Sequence, residues 1–249
     1  KKNGSEIFLL HLLELPHQLH DAMTNGSSIP EVMLFIKKAH EKLQKIKEQP
    51  HLQGITISTT VQFERAFDGI LSFNKKNNID LIVMGSSGSS GIEEMLIGSN
   101  TEKVVRLSDI PVLVVKKDLD TFNIKNIVFA SDFTKEIKKP FLKMIEFANI
   151  FDANLALVMI CTPNSFKTTA IAEKTMKDFI ADFEVKNYSI NIYNDSNIEK
   201  GIRNFTNTIG ADLIGLCTHG RTGLSHFFNG SIGEDLVNHS TKPVITFKI

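Results

Sequence analysis

The chain has 249 residues, 42% hydrophobic and 22% charged, and its 28 Lys and Arg balance 28 Asp and Glu. A balanced surface gathers no polyanion, which argues against a nucleic-acid partner, and no apolar run approaches the ~18 residues that a membrane helix requires. Two cysteines without CxxC spacing, Cys161 and Cys217, exclude a disulfide framework and a cysteine zinc site; together with a start at Lys1 that carries no secretory leader, they fit a reducing cytoplasm.

Hydrophobic periodicity and turn residues predict the elements in chain order. A strand over Glu6 to Leu13 is followed by a helix from Pro30 to Glu48, whose Lys-rich stretch Lys37 to Lys47 reads as a solvated face. Next come a strand from Ile55 to Val61, a helix from Glu64 to Asn77, a strand from Ile79 to Met84, a glycine-rich loop, a helix from Ser99 to Ser108 and a strand from Pro111 to Val115. A short polar linker, Lys116 to Asn123, keeps the second half of the chain close to the first. Beyond it lie a strand from Ile124 to Ser131, cap oxygens on Asp132 and Thr134, a helix from Lys135 to Phe151 and a strand from Asn154 to Thr162. A helix from Phe166 to Phe183, a strand from Tyr188 to Tyr193, a helix from Ile198 to Ile209 and a strand from Ala211 to Thr218 lead to a second glycine loop, a helix from Ser231 to Ser240 and a strand from Pro243 to Ile249. Five strands alternating with four helices predict an α/β unit with a parallel sheet covered on both faces.

The same segment is written twice. Leu81 to Val115 aligns without a gap on Leu213 to Phe247, so that Gly88 meets Gly220, Gly98 meets Gly230, Ser99 meets Ser231, Glu102 meets Glu234 and Pro111 meets Pro243, always 132 positions apart. A period this long means two folding units, residues 1–116 and 124–249, since solenoid repeats are far shorter. The first unit lacks the strand and helix that open the second. That strand would be central, so its backbone partners predict that it is supplied upstream or by another chain. The closing strands begin with Pro and offer apolar edges, so antiparallel pairing of Val112 to Val115 with Val244 to Phe247 is expected.

Each unit places glycines between a strand and a helix: Gly85, Gly88, Gly98 and Ser99 in the first, Gly220, Gly230 and Ser231 in the second. Free amides at a helix start, approached closely through glycine, suit a polyphosphate. The plainer reading is a capping box, Ser99 with Glu102 and Ser231 with Glu234. Asp132 is either an N-cap or a ligand-facing acid. His219 and Arg221 are candidates for phosphate contact, although basic loop residues are usually only solvated. His17 and His20 form an isolated pair without a third metal ligand. No Ser-His-Asp order, paired carboxylates or Walker lysine is present, so no catalytic function is expected.

The spacing G-x2-G-x9-G-[S/T], the phrase THGRTGLSHFFNGS, the turn VFASDFT and the terminal P-V-x-x strand resemble the universal stress protein family in a tandem arrangement. The resemblance covers nearly the whole chain. It implies a five-stranded parallel sheet of order 3-2-1-4-5, adenine nucleotide alpha hydrolase-like, with ATP, with or without magnesium, in the crevice between strands one and four, the topological switch point. Carried over residue by residue, it gives Asp132 to the ribose and adenine, with Ala130 and Ser131 beside it. Ile160 and Leu216 would wall the adenine in the second unit, Leu12 and Met84 in the first. Gly220, Gly230 and Ser231 would hold phosphates. Cys217 stands where the motif's first glycine belongs and where Gly85 stands in the first unit, so its Cβ is expected to crowd the ribose. The implied partners are an adenine nucleotide and the sister unit in an intramolecular pseudo-dimer, with a homodimer left open. The implied role is nucleotide binding in stress signalling, the alternative a scaffold that binds no nucleotide.

Overall fold

The computed structural model describes residues 4–14, 29–86, 98–116, 122–218 and 236–249. The chain divides into two compact units, Lys1–Asn78 and Ile79–Ile249.

In the smaller unit, β1 (Ile7–Leu13) and β2 (Ile57–Phe63) pair in parallel from Ile7 opposite Ile57 to Leu13 opposite Phe63. Helix α1 (Ile29–Lys47) buries Val32, Ala39 and Leu43, a stripe one helical face wide, and α2 (Ala66–Asn77) buries Phe73, whose ring meets Phe8 edge-on at 5.7 Å. The first residue of α2 is held from a distance. The Ala66 amide donates to Glu14 at 2.6 Å, placing a carboxylate on the positive end of the helix.

The larger unit contains β3 (Ile82–Gly85), α3 (Ser99–Leu107), β4 (Val112–Val115), β5 (Asn126–Ala130), α4 (Lys138–Phe151), β6 (Asn154–Cys161), α5 (Thr169–Ile180), β7 (Tyr188–Asn194), α6 (Ile198–Thr208), β8 (Leu213–Thr218) and β9 (Val244–Lys248). Its seven-stranded sheet has the order β3-β4-β9-β8-β5-β6-β7. The five strands of the second repeat therefore stand as β7-β6-β5-β8-β9, all parallel, which is the expected 3-2-1-4-5 order. The unit boundary at Asn78 falls inside the first repeat because β3 and β4 join this larger sheet.

The expected antiparallel pairing of the closing strands is present, and its register follows the repeat. Leu113 lies opposite Ile245, its own counterpart 132 positions on, with Val112 opposite Thr246 and Val114 opposite Val244 on either side. This is the pattern of an isologous contact, with a local two-fold axis through the Leu113–Ile245 pair. Lysines fix both ends alike: Lys116 Nζ donates to the Asn238 carbonyl, and its counterpart Lys248 donates to Leu107 O at 3.5 Å and to Asp109 at 2.8 Å. Each lysine thus meets the carbonyl end of the other repeat's closing helix.

On one face of the sheet, α4 and α5 cover an aromatic core. Phe141, fully buried, lies 5.0 Å from Phe129, 5.2 Å from Phe179 and 5.0 Å from Phe183 between ring centres. Some element starts differ from expectation. The turn after β5 runs as a 3₁₀ segment over Lys135–Ile137 before α4 begins at Lys138, which puts Pro140 in the first α-turn, where its missing N–H is harmless. Helix α5 starts at Thr169 rather than Phe166, because the Thr168 hydroxyl accepts from the Ile171 amide and caps it.

Candidate functional site

In the second repeat the chain leaves β5 for β6 on one side, while β8 lies on the other. The carboxyl ends of β5 and β8 are therefore the topological switch point, the place of the crevice where ligands bind in such sheets. The register sets Ala130 opposite Leu216, so Ser131 and Asp132 leave β5 beside Cys217 and Thr218.

A tight turn positions the acid. The Ser131 amide continues the ladder to Val158 O at 3.2 Å, and the Phe133 amide then donates to Ser131 Oγ at 3.0 Å. The Thr134 amide and hydroxyl both donate to Asp132 Oδ1 at 3.3 Å. Among the described residues both bonds go to Oδ1, which leaves Oδ2 for another donor, and Asp132 is only 8% exposed. The turn requires Phe133 to adopt φ 57°, a left-handed conformation that strains any residue bearing a Cβ. Packing holds it there: the ring, 4% exposed, meets Phe129 at 6.3 Å and Phe179 at 5.3 Å. Asp132 is thus the centre of a side-chain turn and does not cap α4, whose N-cap position is Ile137.

Opposite it, Leu216 and Cys217 are fully buried. Cys217 belongs to the aromatic core on the α4 side of the sheet, so its side chain is packed with apolar neighbours rather than standing in the open crevice. Burial, and secondarily the charge of Asp132, push its thiol well above the usual cysteine range. Thr218, the last residue of β8, donates through Oγ1 to Val105 O at 3.4 Å, and its carbonyl accepts from the Ile249 amide at 3.0 Å. The root of the second glycine loop is therefore tied to α3 of the first repeat.

Ile160 is buried against α6. A Cβ on Gly201 would lie 2.6 Å from its Cγ2, so the glycine is required for that approach. In the smaller unit Leu12 makes the same contact with α2, where a Cβ on Gly69 would lie 2.5 Å from Cδ2. Both residues expected to wall a base thus also lock a helix to its strand. The signal was in the sequence, since Gly69 and Gly201 are themselves 132 positions apart, but a helical glycine gives no hint of which side chain it receives.

In the first repeat Met84 is partly buried, and Gly85 accepts from Thr101 Oγ1 at 3.0 Å. Gly98 is the N-cap of α3 and its amide donates to Ser86 O at 2.7 Å. Ser99 is already the first helical residue, so the cap position falls to Gly98, which has no side chain to cap with, while Glu102 turns to Arg106 at 3.8 Å. The Ser99–Glu102 capping box is therefore not formed. Gly88, Gly220, Gly230 and Ser231, with His17, His20, His219, Arg221 and Glu234, lie outside the described residues. No group of three His, Cys, Asp or Glu that could hold a metal occurs among the described residues.

A sequence model of the universal stress protein family matches residues 1–116 and 190–248 of this chain. The chain belongs to the universal stress protein family. Curated universal stress proteins match half of it: one from Methanocaldococcus jannaschii is 38% identical over 118 residues, 47% of this chain and 68% of its own length. One from Bacillus subtilis is 31% identical over 122 residues, 47% of this chain and 82% of its own length. Among solved structures, a universal stress protein from Archaeoglobus fulgidus superposes with a TM-score of 0.71 at 21% identity, over 98% of this chain and 86% of that one. At that identity it speaks for the fold alone. The family match stops before the Asp132 turn and resumes after it, so the acid turn of this universal stress protein rests on its own geometry.

Proposed function

We propose that this universal stress protein binds an adenine nucleotide, ATP by preference, in the crevice of its second repeat, and acts as a nucleotide-dependent signalling component of stress adaptation in the cytoplasm. The observation that carries the reading is the Asp132 turn. A buried carboxylate with one oxygen held by Thr134 and the other left over stands at the switch point, in a strained turn that packing maintains. Such a group suits a sugar hydroxyl, which donates to the remaining oxygen.

On the other side of the crevice the chain enters the segment that holds Gly220, Gly230 and Ser231, whose amides would take the phosphates. Magnesium, when present, would ride on those phosphates rather than in a protein cage. The chemistry proposed is binding rather than catalysis, in keeping with a sequence that shows no Ser-His-Asp order, paired carboxylates or Walker lysine. The two repeats, residues 1–116 and 124–249, would act as an intramolecular pseudo-dimer about the Leu113–Ile245 axis. The alternative is a scaffold that binds no nucleotide.

A mass spectrum of small molecules released on denaturing freshly purified protein separates the two. Adenine nucleotide in stoichiometric yield supports the proposal; no nucleotide, together with no uptake of added ATP, supports the scaffold.

A further inference from the structure

The segment proposed to take the phosphates, residues 219–235, is flanked on both sides by residues bonded to the first repeat. Ahead of it, Thr218 at the end of β8 donates through Oγ1 to Val105 O of α3 at 3.4 Å. Behind it, helical residues 236–239 bury Leu236 and Val237, and the Asn238 carbonyl accepts from Nζ of Lys116, which follows β4. Val105 and Lys116 both belong to residues 1–116, so the second repeat does not hold these flanks alone.

The anchors answer specific needs. Helix α3 ends at Leu107, and the last four carbonyls of a helix have no partner within it. The Ser108 amide takes Val104 O at 2.9 Å, and the second repeat takes two more: Thr218 bonds Val105 O, and Lys248 Nζ bonds Leu107 O at 3.5 Å. Thr218 and Lys248 are opposite each other in the β8–β9 register, so the two strands cap the helix side by side. Thr218 and Val105 are buried, which leaves neither group a ready substitute in water. Burial pushes the Lys116 pKa down, and the negative end of a helix favours the charge it keeps.

We infer that Thr218 and Lys116 are positioning residues for nucleotide binding in the second repeat, through which the first repeat clamps both flanks of the phosphate-binding segment and regulates it in cis. The inference rests on the nucleotide reading above. A segment whose flanks are released occupies its binding-competent arrangement for a smaller fraction of the time, and apparent affinity falls by that fraction. The coupling is reciprocal, so bound phosphate should in turn steady the end of α3. Because α3 starts from Gly98 in the first glycine loop, the same contact links the loops of the two repeats.

The test is calorimetric titration of ATP and, separately, of adenosine into the wild-type chain, Thr218→Val, Thr218→Ser and Lys116→Met, each first shown to be folded. ATP affinity should fall about three- to tenfold in Thr218→Val and in Lys116→Met, the worth of one hydrogen bond, while adenosine affinity stays unchanged. Thr218→Ser, which keeps the hydroxyl, should bind ATP like the wild type, as should Lys174→Met, which removes an exposed lysine charge on α5. Hydrogen exchange adds a readout that a merely structural role would not move: ATP should slow exchange across residues 104–108 in the wild type and not in Thr218→Val. ATP affinity equal to wild type in either Thr218→Val or Lys116→Met overturns the inference and leaves the nucleotide reading standing. So does an equal loss for ATP and adenosine, since a general loosening of the sheet would move both. A wild-type chain that takes up no ATP overturns the nucleotide reading and this inference with it.

Discussion

Replacing Phe133 separates what its ring contributes from what its backbone endures. Phe133→Ala removes a ring that is 4% exposed and leaves the left-handed backbone in place, a loss of about 3–5 kcal/mol for a buried phenylalanine. Phe133→Gly loses the same ring and also releases the Cβ strain at φ 57°, about 1–2 kcal/mol. Against that stands the greater entropy that glycine loses on folding, about 0.5–1 kcal/mol. The glycine variant should therefore be the more stable of the two by roughly 0.5–1 kcal/mol, the reverse of the usual order in regular structure. Urea unfolding followed by circular dichroism resolves such a difference as a displaced midpoint at constant slope. Equal midpoints, or a higher one for alanine, would mean that residue 133 is not held left-handed, and the turn that presents Asp132 would need a different explanation.

Gly201→Ala drives a methyl to 2.6 Å from Ile160 Cγ2 and should destabilise by about 1–3 kcal/mol; adding Ile160→Ala should make the second substitution less costly than it is alone, and strict additivity in a double-mutant cycle would contradict the contact. Cys217→Gly should lower stability by about 2 kcal/mol by emptying a core position, without tightening nucleotide binding, and a gain in affinity measured by calorimetry would show that the Cβ does stand in the crevice. Asp195 accepts from the Ser196 amide at 2.7 Å, which lowers its pKa from the ordinary 3.8. Its contribution is present above that value and lost as pH falls through the lowered one, so Asp195→Asn should lower stability slightly at neutral pH and flatten the acid limb of a stability–pH curve, the two proteins converging at low pH; identical acid limbs would refute it.

The sheet order was legible because parallel strands buried on both faces read as apolar runs, and because the repeat fixed which runs correspond. The β4–β9 pairing was signalled by two apolar edges opening with Pro111 and Pro243. The conformational details stayed hidden. Nothing in Ser131-Asp132-Phe133-Thr134 announces a left-handed phenylalanine, since the strain is sustained by Phe179, which is remote in sequence. The motif position of Cys217 points to the crevice, whereas strand alternation puts it on the Phe129 face with the core. The Ser99–Glu102 spacing satisfies a capping rule, but α3 begins on Ser99 itself with Gly98 as its N-cap, and the serine loses its place at the cap.

Nucleotide binding at the Asp132 crevice is tested most directly by a calorimetric titration of ATP into the wild-type chain, Asp132→Ala and Gly220→Val, each first shown to be folded. The expected result is binding to the wild type, affinity reduced by about tenfold or more when the charged hydrogen bond to the sugar is lost, and no measurable binding when a valine fills the space the phosphates need. Equal affinity in all three proteins would place any nucleotide elsewhere and leave the scaffold reading ahead.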